Sequence, residues 1–454
     1  MKNYPFIYKL LICSITGILI FGCRDSEYLL PNDYTTIYDT GNGTGTVTWT
    51  ADKEYLLDGI VFVNEGQILT IEPGTVIRAE PGQGENASAL VVARGGKIRA
   101  EGTPEKPIIF TVKGDDLKGA VPIENNGLWG GVIILGNAPV NAPSGEALIE
   151  GLPIEDSRAL YGGSIEDDNS GILRYVSIRH AGTKLDDGNE INGLTLGGVG
   201  SGTTIEYVEV ISNRDDGFEF FGGTVNVRYL LAAFCGDDAF DFDLGYRGNC
   251  QYIVGLQAGS TGDLLIEVSD RYGYPQTKPY ISHATLIGRG MDENDTIAKF
   301  GNGSAGTLVN SIILHQTAGI FIEYSDHNLD SYQQFTDGHI NILNNVFYMV
   351  GKNLDEQILG VYSNLTNYSA QDSLVAASFN SGNNQLKDPA IIYNPQNIDV
   401  MNLLPENSQL GDVFLLEHEW FENPNFKGAF GNSNNWLNSW SILYTDGLFG
   451  ENFQ

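Results

Sequence analysis

The chain has 454 residues, of which 57 are acidic and 25 are basic, and its formal net charge is −32 at pH 7. This charge argues against nucleic acid as a partner, because phosphates require Lys and Arg, and against electrostatic docking on anionic lipid. The 56 glycines and the charged fraction of only 18% favour turns and strands over long helices.

The N-terminus predicts an export signal. Lys2 and Lys9 flank the start of an apolar run at 10–21, which is too short to span a membrane comfortably. The motif Ile-Phe-Gly-Cys that ends at Cys23 resembles a bacterial lipobox, in which the cysteine becomes the lipidated first residue of the mature protein. We therefore expect a cleaved signal peptide at 1–22 and a lipid anchor on Cys23.

The rest of the chain predicts a tether and one long solenoid. Residues 23–46 are rich in Asp, Thr and Gly and are expected to form the tether. Within 47–350, short apolar runs such as 68–71 alternate with turns of Gly, Pro and Asn, and they resemble the coils of right-handed parallel β-helix proteins. We therefore predict an all-β fold, with stacked coils that share one core. Residues 351–454 are less regular and are expected to form a C-terminal cap or strap packed on the helix.

Two acidic segments show the repeat most clearly. They are Asn-Arg-Asp-Asp-Gly-Phe-Glu-Phe at 213–220 and Gly-Asp-Asp-Ala-Phe-Asp-Phe-Asp at 236–243, and they align at a spacing of 22 residues. A third segment at 192–198 fits the same template 24 residues before the first. Such a period indicates successive turns of a solenoid. The alternation within the segments places Leu and Phe in the interior and an acidic column, with Glu219 and Asp241, toward solvent.

Stacking makes these carboxylates the best candidate for a functional site. The pairs that it brings about 4.8 Å apart are Asp215 with Asp237, Asp216 with Asp238, and Glu219 with Asp241. Two unit charges at that distance repel by roughly 3 kcal/mol at an effective dielectric constant near 20. Either the nearby arginines, Arg214, Arg228 and Arg247, fold over the carboxylates, or a metal ion lies among them.

Calcium is the metal that suits such a site, because its flexible shell takes six to eight oxygen ligands. Further ligands could come from the preceding loop, which contains Asp186, Asp187 and Glu190. An alternative stays open at this point. Asp side chains at β-helix bends can accept backbone N–H groups and stabilise the turns without binding anything.

The same segments resemble those of polygalacturonase-type glycoside hydrolases, in which an Asn-x-Asp-Gly turn precedes an Asp-Asp turn by one rung. The matching positions are Asp215 or Asp216, with Asp237 and Asp238. Those enzymes also need a Gly-His-Gly turn and an Arg-x-Lys element on the following rungs, and the next rung here has no histidine. The sequence therefore favours a binding protein. A carbohydrate-active enzyme and a purely structural surface protein are the alternatives.

Two further features concern packing. Cys235 and Cys250 lie on successive rungs and could form a disulfide if the protein is exported. Four rung tyrosines are expected to form a stacked column, which would be a sugar platform if exposed and simple packing if the C-terminal strap covers it. They are Tyr175, Tyr207, Tyr229 and Tyr252.

Several motifs together resemble a family of bacterial outer-membrane lipoproteins that is common in Bacteroidetes and related to a spirochaete outer-membrane lipoprotein. The motifs are Trp-Gly-Gly at 129–131, Asn-Ala-Pro at 137–139, Glu-Ile-Asn-Gly-Leu-Thr at 190–195, and the two acidic segments. The resemblance implies a pectin-lyase-like β-helix on the cell surface. It also implies an accessory or binding role beside a TonB-dependent receptor, with a glycan as the possible ligand.

Overall fold

The computed structural model describes residues 34–186, 189–259, 261–291, 295–326, 330–351, 358–398, 401–431 and 435–445, without the side chains of residues 185 and 186. The predicted signal peptide, Cys23 and Asp187 lie outside these ranges. Within them, none of the helices has both the length and the apolar character needed to cross a membrane.

Two long sheets of parallel strands form the body of the fold. The ten-stranded sheet contains β4 (Ile60–Val63), β7 (Ala89–Val92), β10 (Val132–Leu135), β16 (Leu194–Gly197), β18 (Phe218–Phe221), β20 (Phe240–Asp243), β22 (Ile266–Val268), β25 (Thr296–Phe300), β28 (Ala318–Glu323) and β31 (Leu359–Tyr362). The 18-stranded sheet contains β1 (Thr35–Ile37), β2 (Val47–Trp49), β3 (Glu54–Leu57), β5 (Ile68–Ile71), β6 (Val76–Ala79), β8 (Lys97–Glu101), β9 (Ile108–Val112), β13 (Gly171–Arg179), β17 (Thr204–Ile211), β19 (Val227–Ala233), β21 (Asn249–Leu256), β23 (Tyr280–Ser282), β24 (Thr285–Gly290), β26 (Gly306–Val309), β27 (Ile312–Gln316), β29 (Ile340–Leu343), β30 (Val346–Val350) and β32 (Gln385–Leu386). This arrangement is the predicted right-handed parallel β-helix.

The remaining elements are short. Two antiparallel hairpins pair β11 (Glu146–Leu148) with β12 (Leu160–Gly162) and β14 (Thr183–Asp186) with β15 (Asn189–Ile191). The helices are α1 (Ser331–Thr336), α2 (Ser369–Ser381) and α3 (Ile442–Thr445), with single 3₁₀ turns at Gly84–Asn86 and Ser157–Ala159.

The rung register predicted from the acidic segments is confirmed. Strand β18 pairs in parallel with β16 on one side and β20 on the other, so that Phe218 lies between Leu194 and Phe240. The Phe rings stack inside the helix, with centroid distances of 5.3 Å for Phe218–Phe240 and 4.8 Å for Phe220–Phe242. All four rings are fully buried, so the interior column is an aromatic ladder that fixes the register of these rungs.

The expectation that the acidic column faces solvent is wrong. Glu219 is only 6% exposed, and Asp241 is half-buried. The reason is the segment 137–165, which contains the hairpin β11–β12 and packs on the outer face of the ten-stranded sheet. Its Tyr161 ring lies against Gly197, where the nearest ring carbon is 2.9 Å from the position that a Cβ would take. A side chain at residue 197 would therefore displace this cover.

The β-helix also extends further than the predicted range of 47–350. Strand β1 already pairs with β3, so part of the expected tether belongs to the first coils. At the other end β31 pairs with β28, β32 pairs with β30, and α2 buries Val375 and Phe379 in the core. The physical reason is that a terminal rung has unpaired backbone groups and an open apolar end, which a further half-coil and a helix can cover.

The described residues of 387–445 form a strap that lies on the outer face of the 18-stranded sheet. The tyrosine column forms as predicted, with ring centroids 4.5, 4.4 and 4.8 Å apart, and each tyrosine has a left-handed φ between 51° and 59°. Trp436 and Trp440 of the strap cover the column by edge contacts. The column is therefore packing rather than an exposed sugar platform.

The disulfide considered between Cys235 and Cys250 is not formed, and both cysteines are free and buried. Cys250 pairs with Val227 at the start of β19, whereas Cys235 follows the end of that strand. The two thiols therefore lie at opposite ends of a seven-residue strand, beyond disulfide reach.

We expect neither thiol to react with an alkylating reagent in the native protein, because burial raises the pKa of each to about 12. Mass spectrometry of peptides from alkylated native and guanidinium-unfolded protein measures this. Both sites should be modified only after unfolding. A peptide that links Cys235 to Cys250 would contradict the structure.

Candidate functional site

The buried half of the acidic site is a ladder of side chains at the turn before each strand of the ten-stranded sheet. Asn192 Oδ1 accepts the backbone N–H of Asp216 at 3.1 Å, and Asp216 Oδ1 accepts that of Asp238 at 2.8 Å. Asp238 Oδ1 in turn accepts the N–H of Leu264 at 2.6 Å. Asp216 and Asp238 therefore join successive rungs, which is the turn-stabilising role that the sequence left open.

These two ladder carboxyls are also poorly placed to ionise. Burial raises the pKa of Asp216 well above its usual range, and the charges of Asp241 and Asp215 add to the effect. Burial raises the pKa of Asp238 in the same way, followed by the charge of Asp216. Without a compensating cation, the ladder therefore favours the protonated, neutral form of these carboxyls.

A second column stands beside the ladder and reaches the surface. Asp215 is half-buried, whereas Asp237 and Asp263 on the next two rungs are exposed. Burial, followed by the charges of Glu190 and Asp237, raises the pKa of Asp215 to about 7. Burial also raises the pKa of Asp237, with Asp263 as the next cause. This column gives solvent access to the site.

The third column lies on the strands themselves. Glu219, Asp241 and Glu267 follow one another in register, and Lys299 is the next residue in the column. Asn192 donates its side-chain N–H to Glu219. Asp241 Oδ1 and the hydroxyl of Thr195, the residue that precedes Glu219 in the column, are buried without a hydrogen-bond partner among the described residues.

Glu150 adds a further carboxyl group to the site, because it lies on segment 137–165, which covers the ten-stranded sheet. Burial, then the charges of Glu190 and Asp215, raise the pKa of Glu150 to about 8. Sequence reasoning missed Glu150, Asp263 and Glu267. The rung repeat could have located Asp263 and Glu267, but Glu150 belongs to an insertion with no repeat to mark it.

The six predicted metal ligands do come together. Three overlapping groups each have carboxylate oxygens within 4.8 Å of one another. They are Asp215, Asp216 and Asp237; Asp216, Glu219 and Asp241; and Asp237, Asp238 and Asp263. Among the additional candidates, Glu190 Oε1 lies 3.2 Å from Lys184 Nζ, and the backbone of Asp186 lies in β14.

The arginines near these segments do not neutralise the site. Arg228 pairs with Glu206 at 2.9 Å, and Arg247 pairs with Glu166 at 2.9 Å. Arg214 bonds to Gln83 at 3.0 Å, and its charge only partly offsets the burial that raises the pKa of Asp215. Among the described residues, these arginines therefore compensate little of the repulsion between the carboxylates, and a metal ion remains as the other way to compensate it. The oxygen-only donor set fits Ca²⁺.

Fold and site together define a pectin-lyase-like parallel β-helix protein with an acidic cluster on its outer face. The chain belongs to the pectate-lyase-like β-helix domain family, whose model matches residues 41–387. This family points to a carbohydrate-related function. Neither a comparison with curated proteins nor one with solved structures finds a match.

Proposed function

We propose that this protein binds a glycan with the help of a calcium ion held in the acidic cluster. The observation that carries the proposal is the set of three overlapping carboxylate groups, whose mutual repulsion Arg214 and Lys184 offset only in part. Asp215, Asp237 and Asp263 form the accessible side, so an ion can enter from solvent and reach oxygens of the buried columns. A bound divalent cation would let these carboxylates ionise together.

Exposed aromatic rings in the loop that follows β22 support a glycan as the ligand. Tyr272 is 47% exposed and Tyr274 is 90% exposed. Their loop is tied to the covering segment, because Asp270 Oδ1 accepts the N–H of Tyr272 at 3.1 Å and the side-chain N–H of Asn141 at 2.8 Å. Exposed aromatic faces at this end of the sheet suit the stacking of a sugar ring in a glycan that also reaches the acidic cluster.

The location of the protein belongs to the same proposal. A lipid anchor at Cys23 would hold it on the outer membrane, with its binding face available to glycans or to a neighbouring TonB-dependent receptor. This location is supported by the export signal and the lipobox resemblance. The net charge of −32 disfavours nucleic acid as a partner.

A carbohydrate-active enzyme is the second candidate, and one observation favours it. Glu150 and Asp215 are both half-buried and influence each other electrostatically, and their pKa values are raised to about 8 and about 7. A carboxyl that keeps its proton near neutral pH can act as a general acid toward a glycosidic oxygen.

Calcium binding is tested by thermal unfolding in Ca²⁺ and in EDTA. We expect Ca²⁺ to raise the melting temperature of the parent protein and to have little effect on the double variant Asp237→Asn/Asp263→Asn, which loses two exposed carboxylates of the site. At a hundredfold excess over Kd the stabilisation should be about 2.7 kcal/mol. The matched control, Glu65→Gln/Glu105→Gln, removes two exposed carboxylates in the first coils of the helix and should respond as the parent does.

A glycan panel then separates binding from catalysis. Retention of a glycan that requires Ca²⁺ and leaves the glycan intact supports the binding protein. Turnover that Glu150→Gln abolishes without loss of stability would favour the enzyme instead. A parent protein that responds neither to Ca²⁺ nor to any glycan would overturn both.

A further inference from the structure

The C-terminal strap contains a cavity that is separate from the acidic cluster. Its volume is about 430 Å³, and its lining includes Ser408, Asn425, Phe426, Lys427 and Phe430. This volume lies within the range of small-molecule sites. Its lining combines polar side chains with two phenyl rings, which is the composition expected for a small, partly polar ligand.

Lys427 is the unusual member of this lining. It is only 1% exposed, and its Nζ has no hydrogen-bond partner among the described residues. A buried ammonium without an acceptor is costly, so such a group either gives up its proton or receives an anion. Burial lowers the pKa of Lys427 to about 8, which leaves most of these groups protonated at neutral pH.

The backbone holds Lys427 firmly in this position. The next residue, Gly428, donates its N–H to the carbonyl of Asn310 at 2.8 Å, and Ala429 donates to Thr285 Oγ1 at 2.9 Å. Gly428 has φ +81°, and a Cβ there would lie 2.7 Å from Ile312. The strap is therefore pinned to the sheet beside Lys427, independently of its ammonium group.

The charges around Lys427 define what the cavity can accept. Asp412 and Lys387 are the charged groups that influence it, and their effects on its pKa have opposite signs. Lys387 donates to the carbonyl of Gln409, which is a neutral acceptor. Because Asp412 and Lys387 oppose each other, the ammonium of Lys427 itself is the charge that a ligand with one negative charge would meet.

The outer part of the cavity favours a ligand with hydroxyl groups. Ser408 and Asn425 are exposed, and neither side chain makes a hydrogen bond within the described part of the chain. Phe430 is buried and stacks on Trp436 at 5.6 Å, while Phe426 is half-buried and borders the cavity. Polar donors at the rim and phenyl rings below suit the two faces of a polyhydroxylated carbon skeleton.

We propose that this cavity is a second binding site, which takes a hydroxylated monocarboxylate such as a sugar acid. The Lys427 ammonium is covered in this structure, so its side chain must turn toward the cavity to reach the carboxylate, which then supplies the acceptor that the ammonium lacks. The hydroxyl groups of the ligand bond to Ser408 and Asn425. This site requires neither calcium nor the acidic cluster.

Sodium glucuronate is the probe, with glucose and sodium chloride at equal concentration as references, all in EDTA at pH 7. We expect glucuronate to raise the melting temperature by about 3 °C at a hundredfold excess over Kd, with neither reference doing so. Lys427→Met keeps the length of the side chain but removes the ammonium, and it should abolish the rise. Lys97→Met, which removes a lysine from β8, is the matched control and should retain it.

Two further measurements keep the outcome decisive. If Lys427→Met fails to fold, the parent protein at about pH 9.5 serves instead, because the rise should shrink as the ammonium loses its proton. The Asp237→Asn/Asp263→Asn variant should keep the full response to glucuronate, whatever its response to Ca²⁺. No response in the parent, an equal response to sodium chloride, or an equal response in Lys427→Met would overturn the second site.

Discussion

In EDTA, the melting temperature of this protein should fall between pH 6.5 and pH 8 by roughly 2 °C for each buried carboxyl of the acidic cluster that stays protonated. The acidic cluster causes the fall, because burial raises the pKa values of Asp216, Glu219, Asp238 and Asp241 well above their usual range. In the unfolded chain these groups ionise near pH 4, so above that pH the folded state binds more protons than the unfolded state. Stability is therefore lost as the pH rises, with a slope of up to about 1.4 kcal/mol per pH unit for each group.

The pH range matters for this measurement. Below pH 6.5 the buried His283, whose pKa burial lowers to about 3, contributes a slope of the opposite sign. Above pH 8 Lys427 does the same, because burial lowers its pKa to about 8. Between these limits the carboxylates dominate.

Calcium and two variants check the origin of the slope. Saturating Ca²⁺ should flatten it, because bound carboxylates ionise readily. Asp215→Asn removes a group whose pKa burial raises to about 7 and should reduce the slope, whereas Asp156→Asn should not. The bonds from Arg158 hold the pKa of Asp156 below its usual value, so that residue is ionised throughout the range. A melting temperature that rises from pH 6.5 to pH 8 in EDTA would contradict the burial of the cluster.

Phe220→Ala should destabilise the protein by about 3–5 kcal/mol, the usual cost of removing a buried phenyl ring. The ring is fully buried and lies 4.8 Å from Phe242 and 4.7 Å from Tyr246, measured between centroids. Its loss leaves a cavity in the aromatic ladder that the rigid rungs cannot close. Guanidinium unfolding followed by fluorescence and circular dichroism measures the change.

Tyr274→Ala is the matched control for this prediction. It also removes an aromatic ring, but from a side chain that is 90% exposed, so its effect should stay within about 0.5 kcal/mol. A similar loss for both variants would contradict the burial of the Phe220 ring in the aromatic ladder.

The sequence contained enough to predict the rung register, because the acidic segments repeat both their spacing and their alternation. It did not contain enough to separate adjacent aspartates. Asp215 and Asp216 look equivalent in sequence, yet Asp216 points to the next rung and Asp215 toward solvent. That difference is set by the backbone direction at the turn.

The cover over the acidic column was also beyond prediction. Segment 137–165 has no repeat and no strong period, and its packing depends on close fits such as Tyr161 against Gly197. The prediction of a solvent-facing column failed for this reason, and Glu150 was missed with it. The burial of the acidic column is thus decided by an insertion between regular coils, which the repeat does not predict.

The strap affects how the molecule unfolds. Simple solenoids contact only neighbouring repeats, so they can unravel one coil at a time from an end. Here Glu209 Oε1, fully buried on β17, accepts the N–H of Ile442 at 3.1 Å, and Glu422 bonds through both its N–H and its carbonyl to Gln251 on β21. These links join the last part of the described chain to its middle coils. Stepwise fraying from the C-terminal end would first have to peel off the strap, which favours a single concerted unfolding transition.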